Sequence, residues 1–176
     1  FPEKQAQAIV NYRQKGGRFH RPEDFARSYV VADSVYERLA PWIDIPKLDI
    51  NRADSAAFDA LPGIGGYYAA RMLEFRSRLG GYSHTEQLMD IYRFSAERYE
   101  ALKDLVTCSA PEPYPLWDLP EDELRKHPYI GRSAHGVVVY RQHNPRSRWT
   151  VEGLLEAGVV DAGQAERLGR CLISKP

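Results

Sequence analysis

An aromatic-arginine pair followed by helix-breaking residues and then another aromatic occurs three times along this chain, at nearly constant spacing. Asn11-Tyr12-Arg13-Gln14-Lys15-Gly16-Gly17-Arg18-Phe19 recurs as Glu74-Phe75-Arg76-Ser77-Arg78-Leu79-Gly80-Gly81-Tyr82, and more weakly around Val139-Tyr140-Arg141-Gln142-His143, with Trp149 as the trailing aromatic. Arg13 and Arg76 are 63 residues apart. The downstream halves align too, Glu37-Arg38-Leu39 with Glu100-Ala101-Leu102 and Glu166-Arg167-Leu168. A chain that repeats itself at a fixed period folds as a series of similar units, each using the same local solution.

Composition sets the boundaries. Ser109-Ala110-Pro111-Glu112-Pro113-Tyr114-Pro115 has prolines at alternate positions, which blocks helix and ladder pairing and favours extended backbone. A second boundary falls near Pro46-Lys47-Leu48. The units are therefore 1–46, 47–110 and 116–176, with 111–115 as a linker, and the first lacks its front part.

Each unit reads as three or four short helices. From Tyr67 to Leu79, Ala69, Met72, Leu73 and Leu79 fall on one face and Tyr67, Arg71, Glu74 and Arg78 on the other. Asp54, Ser95 and Thr150 are expected N-caps. Strand-like alternation never persists, so the fold class is all-α.

Lys and Arg number 24 against 24 Asp and Glu, and no unit is basic. This balance counts against a broad nucleic-acid surface, which needs a basic face. No apolar run is long enough to span a bilayer. Phe1 in place of a methionine reads as a processed or trimmed start.

Leu61-Pro62-Gly63-Ile64-Gly65 lies between two predicted helices. Glycines there permit positive φ and a close approach of another backbone. The helix that follows presents unpaired N–H groups and the positive end of its dipole, so a phosphate could dock. A tight interhelical turn with no ligand is the plainer alternative.

Asp49-Ile50-Asn51-Arg52-Ala53-Asp54, then Leu61-Pro62-Gly63-Ile64-Gly65, Ala69, Phe75-Arg76, Gly80-Gly81-Tyr82 and Leu102-Lys103-Asp104-Leu105-Val106 together resemble the ComEA-type helix-hairpin-helix family of competence DNA receptors, over 47–108. The resemblance implies tandem helix-hairpin-helix modules of the SAM-like, ComEA-like kind. It implies sequence-independent contact with DNA phosphates through hairpin amides, no catalysis, and a bacterial protein held outside the cytoplasm or at the cell envelope by an N-terminal anchor. It also allows a monovalent cation on hairpin carbonyls.

The chain departs from the family pattern at most of its hairpins. Arg93 and Ser95 replace the glycines of the central unit's second hairpin, which is expected to be a structural copy. His127-Pro128-Tyr129-Ile130-Gly131 puts Tyr129 at a glycine position and is one residue short. Val30-Val31-Ala32 and Val159-Val160-Asp161 have lost both glycines, and the first unit's leading hairpin is cut to Phe1-Pro2. The candidate nucleic-acid residues are Gly63, Ile64, Gly65, Gly66, Tyr67, Tyr68, Arg71, Arg76 and Arg78. So few contacts place affinity near the nonspecific range of about 10⁻⁴ to 10⁻⁶ M.

Other readings attach to the same residues. Tyr67 and Tyr68 could stack on a nucleic acid or pack between units. The recurring aromatic-arginine pairs suit an architectural role, with the ring in the core and the guanidinium reaching a helix C-terminus. His127, His135 and His143, eight residues apart, are spaced too widely along helix to share a metal. Cys108 and Cys171 form no metal or disulfide framework. No catalytic, cofactor-binding or metal-binding signature is present, and the expectation is a protein that is not an enzyme and takes no small-molecule substrate. The competing function is a protein-protein interaction scaffold on a decayed helix-hairpin-helix fold. Convergence of Arg52, Arg71, Arg76, Arg78 and Arg93 on the hairpin favours DNA, and pairing with Glu74, Asp90 and Glu97 favours the scaffold.

Overall fold

The computed structural model describes residues 2–176; Phe1, read above as part of the first unit's hairpin stub, lies outside them. The first unit holds α1 (Glu3–Gln14), α2 (Pro22–Ala26) and α3 (Asp33–Leu39). The central unit runs β1 (Leu48–Asp49), α4 (Ser55–Asp59), α5 (Gly66–Leu79), α6 (Ala96–Leu102) and β2 (Val106–Thr107). The third holds α7 (Glu121–Leu124), α8 (Ala134–His143), α9 (Val151–Glu156) and α10 (Ala162–Gly169). The fold is all-α and modular. Among the described residues, no helix is long and apolar enough to cross a membrane.

The three expected caps form. Asp54 accepts from the Ala57 amide (2.8 Å), Ser95 from Arg98 (3.2 Å) and Thr150 from Gly153 (2.9 Å). Ala69, Met72, Phe75 and Leu79 make the buried face of α5. This helix stops where Gly80 (φ 75°) turns left-handed and Gly81 N–H returns to the Arg76 carbonyl (2.9 Å).

The ends of the central unit are tied together by one two-residue parallel pairing, Leu48 with Val106 and Asp49 with Thr107. Asn51 reinforces it, donating to the Tyr82 (2.8 Å) and Ser109 (2.6 Å) carbonyls while accepting from the Tyr82 amide (2.8 Å). The Arg76 guanidinium bridges the Ile50 (2.9 Å) and Ala53 (2.7 Å) carbonyls. Arg141 repeats this in the third unit, reaching the Leu116 (3.4 Å) and Leu119 (2.8 Å) carbonyls. The pairs are architectural in these two units, though the guanidinium lands on carbonyls ahead of α4 and α7 rather than at a helix C-terminus, and in the first unit Tyr12 is exposed rather than in the core.

The proline-rich segment is extended but does not act as a free linker. Tyr114 N–H bonds the Leu172 carbonyl (2.8 Å) and the Tyr114 carbonyl accepts from Ser174 (3.0 Å), so the third unit closes on itself as the central one does. One buried core continues from Ile50 to Leu168 through both units. In the first unit only Val31 is a buried hydrophobic among the described residues. Both cysteines are free thiols, and burial pushes each up to about 11.

Candidate functional site

Residues 61–70 and 91–100 share the same succession of turn and helix and the same sequence of buried and exposed positions. Leu61 and Ile64 are buried in one hairpin, and Ile91 and Phe94 in the other. Ile64 N–H closes on the Leu61 carbonyl (3.1 Å), and Phe94 N–H on Ile91 (2.9 Å). Gly63 sits at φ 73°, and Arg93 takes the matching place at φ 62°. The second hairpin is indeed a structural copy. Arg93 is the one non-glycine with positive φ among the described residues, at a conformation that side chains resist.

The two copies differ at the next position. Ser95 caps α6 with its hydroxyl, whereas Gly65 offers α5 no side chain. The amides of Gly65, Gly66, Tyr67 and Tyr68 bond no acceptor among the described residues, and the first helical bond is Ala69 N–H to the Gly65 carbonyl (3.0 Å). A Cβ added at Gly63 or Gly65 would meet nothing within 4 Å. No side chain therefore fills the space beside Gly63 and Gly65 at the start of α5. Asp59 opposes an anion here, its carboxylate lying 3.9 Å from where a Gly66 Cβ would stand.

Several sequence-predicted site residues have other roles. Ile64 contributes no free amide, since its N–H is spent on Leu61 and its side chain is buried. Arg76 clasps the internal carbonyls of Ile50 and Ala53 through its Nη1. Arg71 pairs with Glu74 (3.0 Å), and the Arg78 Nε donates to the Lys126 carbonyl (2.9 Å) of the third unit. Arg52 pairs with Asp49 (3.6 Å). The arginines thus scatter, though not onto the other carboxylates expected, for Asp90 accepts instead from the Tyr129 hydroxyl (2.6 Å).

Arg98, which the sequence reading passed over, belongs to the hairpin pair. Its guanidinium lies 3.9 Å from the Tyr68 ring centroid, and its Nε donates to the Gly63 carbonyl (3.3 Å). The Tyr68 hydroxyl donates across to the Arg93 carbonyl (3.1 Å). With Arg98 on Gly63, the residues present do not fit a monovalent cation at that carbonyl. Neither Arg93 nor Arg98 pairs with a carboxylate among the described residues. Aligning the two hairpins with each other, rather than the long repeat with itself, would have placed both arginines beside Gly63.

The model of the helix-hairpin-helix motif family matches residues 1–44 and again 44–107. The chain belongs to the helix-hairpin-helix family. No curated protein and no solved structure matches it. These matches do not reach the third unit, where Tyr129 stands at the position read from the sequence as a replaced hairpin glycine. Tyr129 is buried, meeting Phe75 of α5 edge-on (ring centroids 6.3 Å) and bonding Asp90, so it joins the units where a glycine would leave a void. It does what the sequence reading offered to Tyr67 and Tyr68 as an alternative. Tyr67 is instead 54% exposed.

Proposed function

We propose that the chain is a noncatalytic, sequence-independent DNA-binding protein that holds backbone phosphate on the open amides from Gly65 to Tyr68. Membership in the helix-hairpin-helix family points to nucleic acid as the class of partner. The observation that carries the reading is Gly65 itself. Its backbone (φ −110°, ψ 176°) suits any residue, and a Cβ there touches nothing. Neither folding nor packing requires glycine at this place. Its absent side chain leaves the Tyr68 amide uncapped and the approach clear, which suits an external anion at a helix start. Arg93 and Arg98 add charge, while the neutral balance of the chain keeps affinity modest.

In its finer form the reading is DNA capture for uptake at the cell envelope, supported by the ComEA-type resemblance of 47–108. A protein-interaction scaffold is the second reading. It is favoured by the pairing of Arg71 and Arg78 with Glu74 and by Tyr29 and Trp42, 95% and 84% exposed. Fluorescence-anisotropy titration of short DNA at two salt concentrations separates them, comparing wild type with Gly65→Val. Salt-sensitive binding that a folded Gly65→Val protein loses supports DNA. Absence of wild-type binding at low salt leaves the scaffold.

A further inference from the structure

The surface beside the open amides is aromatic as well as cationic. Tyr67, on the first turn of α5, meets Tyr68 edge-on at 5.1 Å. Tyr68 carries the Arg98 guanidinium on its face and bonds the Arg93 carbonyl. The Arg93 guanidinium stands over the Tyr92 ring at 5.1 Å. A continuous strip, Tyr67-Tyr68-Arg98-Arg93-Tyr92, thus crosses both hairpins. It ends at each side in an exposed ring, Tyr67 at 54% and Tyr92 at 66%.

Tyr92 occupies the place that Pro62 has in the first hairpin. The contacts that fold the hairpin are made by Ile91 and Phe94 on either side, which are buried. Tyr67 and Tyr92 lie outside the buried core and contact only neighbours on this surface, Tyr67 with Tyr68 and Arg71 and Tyr92 with Arg93, so each keeps an exposed ring.

We propose that this face is built for single-stranded rather than duplex DNA, with bases stacked on Tyr67 and Tyr92 and the intervening backbone held by Arg93, Arg98 and the α5 amides. The inference rests on the DNA-binding reading and names its substrate. A duplex keeps its bases in its own stack and offers phosphates on two strands, which a chain with two carboxylate-free arginines here neutralises poorly. An unpaired strand offers base faces, and stacking on tyrosine needs no net positive charge. The neutral charge balance and the exposed rings therefore agree on one occupant.

The test titrates labelled oligothymidylate and a duplex of equal length against wild type, Tyr67→Ala with Tyr92→Ala, and Tyr67→Phe with Tyr92→Phe, with melting curves confirming that each folds. Single-strand affinity is expected to exceed duplex affinity about tenfold. The alanine pair is expected to lose at least about tenfold on the single strand and less than about twofold on the duplex, and the phenylalanine pair to retain binding. Equal or tighter duplex binding, or an unchanged alanine pair, overturns this inference and leaves the DNA reading standing. No binding of either probe at low salt overturns both.

Discussion

Tyr68 and Arg98 occupy equivalent positions in the two hairpins of the central unit, and each donates to a carbonyl of the other's hairpin. Tyr68 reaches Arg93 and Arg98 reaches Gly63, with the two side chains stacked at 3.9 Å between them. The exchange locks two turns with divergent sequences into one rigid pair. It also gives the second hairpin, which has Arg93 and Ser95 where the first has glycines, a structural role of its own. Its carbonyl and its arginine hold the first hairpin in shape, whether or not the second touches a ligand. A cation–π contact of this kind contributes roughly 0.5–2 kcal/mol.

Gly65→Ser separates stability from binding. The backbone at Gly65 is extended and a Cβ there is unobstructed, so serine can cap α5 as Ser95 caps α6. The expected outcome is a gain of a few tenths of a kcal/mol with weaker DNA binding, because the new hydroxyl takes the amide that phosphate would use. Urea unfolding and anisotropy titration of the same preparation check it. Unchanged affinity in the stabilised protein would remove the Tyr68 amide from the site.

The helices and their caps were legible because each depends on neighbours in sequence, and the clasping arginines only because their aromatic-arginine pair recurs, since their partner carbonyls lie more than 20 residues back. Asp54 and Ser95 need only an amide three residues ahead. Arg98 was hidden because its importance comes from a 30-residue correspondence inside one unit, masked by the longer repeat. The β1–β2 pairing was hidden because two residues are too few to show alternation. Tyr129 read as a damaged hairpin because only the packed structure shows Phe75 and Asp90 awaiting it. The loss of Ile64 and Arg76 from the site has the same origin. A motif names residues together, while the fold assigns their donors separately.

Arg93→Gly probes the strained copy. Removing a side chain from φ 62° relieves an unfavourable left-handed conformation worth about 1 kcal/mol, and the exposed guanidinium gives up little packing. The variant is expected to melt at higher temperature than wild type and to bind DNA more weakly, with a shallower salt dependence. A lower melting temperature would mean that the Arg93–Tyr92 contact outweighs the strain.

Arg76→Lys and Arg71→Lys distinguish architecture from surface charge. Both bonds come from one nitrogen, Nη1, and lysine keeps the charge but places a compact ammonium on a differently shaped stem, without the planar guanidinium that stands over the Phe58 ring. Arg76→Lys is expected to cost about 1.5–3 kcal/mol, the range for a lost hydrogen bond to a charged group. Arg71 lies in an exposed pair with Glu74, so Arg71→Lys is expected to change stability by less than about 0.5 kcal/mol. Equilibrium unfolding of both variants provides the comparison.

His127 makes the third unit sensitive to acid. Its ring is buried against Tyr114, and its Nδ1 accepts the Tyr129 amide (3.2 Å), which fixes the neutral tautomer with the proton on Nε2. Protonating Nδ1 would break that bond inside the core. Burial, with Arg78 nearby, pushes the imidazole down from 6.5 to about 4. The folded value lies below the unfolded one, so the contribution is complete above pH 6.5 and is lost as pH falls from 6.5 toward 4. At about 1.4 kcal/mol per pH unit, the loss amounts to roughly 3 kcal/mol. His84, also held below its ordinary value chiefly by burial, adds to the same slope. Comparison with His127→Gln isolates the share of His127, since glutamine can still accept from Tyr129 without titrating. Urea unfolding at pH 7 and pH 5 is expected to show wild type losing more stability than His127→Gln. Equal losses would place the acid sensitivity elsewhere.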